Sequence, residues 1–203
     1  VLKLLEEMGG FHAELSVSNR QLSQKMRELA ILNEVTKALQ TTLDMDQVMH
    51  IILTGVTAAQ TLSLNRAFLL LVDDEKKSLT GKMAVGPGGA EEAFGIWNEL
   101  QKSPRSFLEM ALTPHRQVQG NLLVNQLVKK LSVPLNDRNN ILVEVLASKK
   151  PLLVTDASLL PGALELAGWL KVNSFIVVPL VAEQEILGII LADNAVTKMP
   201  IRP

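Results

Sequence analysis

The stretch SFIVVPLVAEQEILGIILADN, residues 174–194, limits the folds open to this chain more than any other. Two dense apolar runs flank a short acidic turn, and strands this apolar suit the middle of a sheet, where both faces are covered. The stretch closes on a polar pair, Asp193-Asn194, and then on AVTKMPIRP. Such a pair either ends the last strand by bonding turn backbone or opens a site, and turn preference favours the first. A second apolar run, RAFLLLV at 66–72, is bounded by DDEKKS and followed by LTGKMAVG. There Leu79, Gly81, Met83 and Val85 alternate onto one face, so this too is a hairpin. The two hairpins are the most apolar segments, which predicts that they are central and adjacent.

Elsewhere the apolar spacing is helical. TTLDMDQVMHIILTGVTAAQ has Asp44 placed to cap it, Gln47 three residues on as in a capping box, and one apolar face through Met45, Val48, Met49, Ile52, Val56 and Ala59. GPGG ends the first hairpin, and AEEAFGIWNELQ resumes helical spacing. Further helical stretches are predicted at about 104–113, 119–131 and 140–148. LLVTDA then reads as a short strand and LELAGWL as one or two helical turns. Hairpins at both ends with helices gathered between them predict an α+β fold with a mainly antiparallel sheet of five or six strands. The regular strand–helix alternation of a doubly wound parallel sheet is absent.

Residues 15–39 carry an incomplete heptad. Leu15, Leu22 and Leu29 recur every seven residues, Leu32 and Leu39 continue the complementary seam, and Ser18, Lys25 and Thr36 interrupt it. The stripe predicts a long helix that pairs with a second copy, the alternative being a helix docked on its own domain. Gly9-Gly10 predicts a break before it.

Composition removes whole classes of chemistry. The chain of 203 residues has no cysteine. Disulfides, thiolate catalysis, zinc-thiolate sites and thioether-linked cofactors are therefore excluded together. A formal net charge of −1 gives no electrostatic case for nucleic acid or an anionic membrane surface. No apolar run has the length of a bilayer span, and a cytoplasmic location is the expectation. With five Phe, two Trp and no Tyr, the core must be aliphatic.

KKPLLVTDA and KVNSFIVVPLVAEQEILGIILADN, with Pro179 in the first strand and Gly188 in the second, are similar to the carboxyl half of a GAF domain. LNEVTKALQTTLDMDQVMHIILTGVT and NRAFLLLVDDEKKSLTGKMAVG resemble that family's opening helices and first hairpin, so the likeness spans about residues 30–196. It is nearest to GAF domains of bacterial sensor histidine kinases, with residues 1–40 resembling the signalling helix that precedes them. The division implied is a coiled-coil helix over 1–40, a GAF-like sensor domain over 41–196 and the start of a linker over 197–203. The resemblance implies a central antiparallel sheet with helices on both faces. It implies a regulatory, non-catalytic cytoplasmic module of a two-component system, dimeric through its helix and followed in a longer chain by a kinase or other output domain. A structural spacer with a filled core, or a domain of a sigma-54-type activator, is the alternative. A covalently bound bilin and the methionine-sulfoxide-reducing chemistry found in the family both need cysteine and are excluded. A small ligand of unnamed kind would lie between sheet and middle helices. Its wall would be Phe68, Met83, Trp97, Phe107, Leu123 and Phe175, and its polar contacts Arg66, Asn121 and Asn125; the same apolar residues equally suit a filled core.

No catalytic or metal constellation can be spaced out of the rest. His12 near the start of the heptad helix invites comparison with a phosphoacceptor, but VGPGG lacks the Lys-Ser/Thr of a P-loop. His50 reads as a partly exposed helix histidine and His115 as a loop imidazole without a partner. Asp73, Asp74 and Glu75 read as a solvated turn, and Asp156 as a cap for the turn that follows it.

Overall fold

The computed structural model describes residues 2–57, 64–103, 107–112 and 123–201, excluding the side chains of residues 2–10, 13, 28, 31, 107 and 108. The predicted α+β class is observed. Six antiparallel strands, β1 (Arg66–Val72), β2 (Ser78–Val85), β3 (Ser132–Pro134), β4 (Leu152–Val154), β5 (Phe175–Ala182) and β6 (Glu185–Asp193), form one sheet in the order β3-β2-β1-β6-β5-β4. The two apolar hairpins are its four central strands, paired through β1 and β6. Strand β3 was not foreseen. Three residues with a proline carry no alternation, and only the bonds offered by Ser78–Thr80 make them a strand.

The continuous apolar run of β1 follows from cover on both sides. Arg66, Phe68 and Leu70 point to one face, called face A here, and Ala67, Leu69 and Leu71 to face B. The helices α1 (Leu2–Leu39), α2 (Met45–Thr57), α3 (Ala90–Lys102), α4 (Phe107–Leu112), α5 (Leu123–Val128), α6 (Ile141–Ser148) and α7 (Leu164–Leu170) follow in chain order. Face A is packed by α5, α6 and α7 through Val124, Val128, Ile141, Leu142, Val145, Leu166 and Leu170. Face B is packed by α2 through Met49 and Leu53. The last turns of α1, with Ala38, Val35 and Leu39, lie on Ile51 of α2 and Ala111 of α4.

One local reading holds and another is corrected. Asp44 caps α2 as predicted, its Oδ1 accepting from Asp46 N at 2.9 Å. The Nε2 of Gln47, three residues on, donates to Ala111 O at 2.7 Å and ties α2 to α4. Helix α1 runs through Gly9-Gly10 without a break. A glycine costs a helix only about 1 kcal/mol, which neighbouring turns can absorb.

Candidate functional site

A β-bulge decides where the predicted wall residues lie. Leu69 pairs with Met83 but Leu70 pairs with Gly81, so Lys82 is an extra residue on β2. Leu79 stays on face A with Ala84, while Met83 and Val85 turn to face B. Met83 therefore packs under α2, on the far side of the sheet from Phe68 and Phe175. Phe68 and Phe175 both lie on face A, fully buried within one core cluster. Trp97 and Leu123 are exposed at the rim of the fold. Asn121 and the side chain of Phe107 lie outside the described residues, as does His115.

Among the described residues, the polar candidates Arg66 and Asn125 are occupied by the protein itself. Arg66 is 5% and Asp193 0% exposed. Arg66 Nε donates to Asp193 Oδ1 at 2.9 Å, and Nη2 donates to Asp193 Oδ2 and to Leu170 O, each at 2.7 Å. The guanidinium also lies 5.3 Å from the Phe68 ring centroid. This bidentate geometry is the arrangement in which a buried pair offsets its desolvation, and removing one partner costs about 3–5 kcal/mol. Leu170 O is a carbonyl left open at the end of α7, where Lys171 takes a left-handed conformation, so a cation there is favourable. The sequence reading missed the pair because its members stand 127 residues apart and only the β1–β6 register, Arg66 opposite Asp193, joins them.

Asn125 is likewise committed. Its Oδ1 accepts from Ala84 N and its Nδ2 donates to Ala84 O, both at 2.9 Å, so a side-chain amide extends the sheet beyond the short β3. Gly81 lets α5 come this close, since a Cβ there would stand 1.8 Å from Val128 O. The polar pair closing β6 has the structural role favoured from sequence. Asp193 Oδ1 accepts from Ala195 N at 2.9 Å, Asn194 Oδ1 accepts from Asn65 N at 3.0 Å, and Asn194 Nδ2 donates to Met199 O at 3.0 Å.

The turn carboxylates behave as read. The Ser78 hydroxyl and the backbone around it hold Asp73 below the usual aspartate range. Asp156 is lowered first by the Ser158 hydroxyl, then by the Ser158 amide and by Asn173, and its side chain caps the following 3-10 turn. His50 is buried, not partly exposed. His12 is exposed on α1. Among the described residues no three of His, Asp and Glu cluster as a metal set, and no helix is long and apolar enough to cross a membrane.

On α1 the seam divides. Leu15, Leu22, Leu29 and Leu32 are each more than half exposed, whereas Leu39 packs against the α2–α4 cluster. Leu39 thus belongs to the domain as the structure places it, and the exposed stripe ends at Leu32.

A six-stranded antiparallel sheet with α2 on one face and short helices on the other defines a class of small α+β modules. Within that class this chain belongs to the GAF domain family, whose model matches residues 28–202. No curated protein matches the chain. Among solved structures it is similar to residues 122 to 287 of a methyl-accepting chemotaxis protein, with TM-score 0.51, 17% identity and 79% of each chain covered. It is similar to the GAF domain of a phosphoenolpyruvate-protein phosphotransferase from Coxiella burnetii, with TM-score 0.53 and 16% identity over 84% of this chain and 79% of that one. A free methionine-R-sulfoxide reductase from Neisseria meningitidis superposes with TM-score 0.53 and 13% identity over 85% of this chain and 75% of that one. Identities this low establish the fold, and they do not single out sensor histidine kinases.

Proposed function

We propose that this chain is a non-catalytic GAF module that passes a signal through a dimeric α1, and that its parent is a bacterial sensor histidine kinase of a two-component system. The observation that carries the reading is the stripe Leu15, Leu22, Leu29 and Leu32, exposed on a helix whose last turns are fixed to the domain. A second copy laid along that stripe gives each leucine an apolar partner, and burying one leucine stabilises by about 1.5–3 kcal/mol. The seam is interrupted by Ser18, Lys25 and Thr36, which suits a coiled coil that shifts between two arrangements. The module would act in the cytoplasm and hand its output to a kinase or other domain in the same parent chain. A small ligand bound on face A would supply the input.

A structural spacer is the second reading, favoured by Phe68 and Phe175, which are packed into the core of face A. A GAF domain of a sigma-54-type activator would use the same helix differently. Sedimentation together with native mass spectrometry tests the proposal. The chain should sediment as a dimer at tens of micromolar by the strength of such seams (roughly micromolar association), and a sensor should retain a small molecule from cell extract that a spacer would not. A monomer at every concentration would remove the helix argument.

A further inference from the structure

The end of α7 and the segment leaving β6 lie on opposite sides of one buried charge pair. Trp169 meets Phe68 edge-on, with ring centroids 5.6 Å apart, and Phe68 lies under the Arg66 guanidinium. Arg66 holds Leu170 O with the same Nη2 that holds Asp193 Oδ2. Asp193 Oδ1 in turn holds Ala195 N. The exit segment is fixed further by Asn65, whose Oδ1 accepts from Val196 N at 3.1 Å and Thr197 N at 2.8 Å. Asn65 N donates to Asp193 O, and Lys198 N to Asn194 O. One guanidinium and one carboxylate, both buried, thus join the helix layer of face A to the chain after the sheet.

We propose that Arg66 and Asp193 form a coupling element that makes the end of α7 and residues 194–199 open as one unit. Anything that displaces α7 on face A would then release the segment leaving β6. The physical reason is that a partial opening leaves a desolvated charge short of a partner, which costs free energy. Moving Leu170 away removes an acceptor from a desolvated cation, and releasing Ala195 disturbs the carboxylate that balances it. The inference deepens the regulatory reading above, but its test involves neither α1 nor any ligand, so the two can fail separately.

Native-state hydrogen exchange on the whole chain tests it. In the wild type, the amides of Lys171 and Val172 should open with the same free energy and the same denaturant dependence as those of Ala195, Val196 and Thr197. Trp169→Leu should speed exchange at Ala195 and Val196 by about tenfold, the size of coupling expected between groups in one network. In an Arg66→Lys background, which cannot bridge carboxylate and carbonyl in the same way, Trp169→Leu should have no further effect there. Additive effects, or independent opening of the two wild-type segments, would overturn the proposal. Should Arg66→Lys fail to fold, the wild-type comparison still decides.

Discussion

Asn125 shows how a residue can look like a ligand contact and be a strand substitute. Its amide pairs with both backbone groups of Ala84, which would otherwise be buried without partners. Asn125→Leu keeps the volume and removes both bonds, and each orphaned group costs about 1–3 kcal/mol. The urea midpoint should fall accordingly, whereas a ligand-contact role alone would leave stability unchanged. Asp156 provides the pH counterpart. Its carboxylate sits below the ordinary aspartate value because Ser158 and Asn173 donate to it. A depressed folded-state pKa adds stability that is present above the unfolded value, about 4, and lost as pH falls through the folded one. The wild type should therefore exceed Asp156→Ala in thermal midpoint near neutral pH, with the gap narrowing as pH drops below about 4. A gap independent of pH would mean that only the neutral capping bond matters. The group is exposed, so the effect should be small.

At the scale of the element, α1 divides into an exposed length and a docked end. Leu15, Leu22, Leu29 and Leu32 are exposed, while Ala38 and Leu39 are docked on α2 and α4. Leu22→Asp/Leu29→Asp should abolish or greatly weaken dimerisation and leave the domain of residues 44–194 folded. Leu39→Asp should do the reverse, lowering the thermal midpoint because its charge enters an apolar contact. Sedimentation and circular dichroism on both variants separate the roles. A double mutant that unfolds outright would assign the whole helix to domain packing. Strand β2 makes the same point about elements. Its alternation is legible from Leu79 to Val85, yet one extra residue at Lys82 sends Met83 to the other face.

For the molecule as a whole, the regulatory reading requires that the chain perform no phosphoryl transfer of its own. Incubation with labelled ATP should leave it unlabelled, and label on His12 would contradict the assignment. The sequence by itself determined the α+β class, the two central hairpins, the capped α2 and the lack of cysteine chemistry. These are set by periodicity, turn residues and composition, which act over a few residues and survive in a one-dimensional reading. Only the tertiary structure decided that Arg66 meets Asp193, that Asn125 seals β2, that Met83 lies under α2 and that Leu39 belongs to the domain. Each of those depends on strand register, a bulge or a helix contact between segments far apart in the chain. A shift of one residue exchanges the two faces of a strand, and no local pattern records which neighbour will be there.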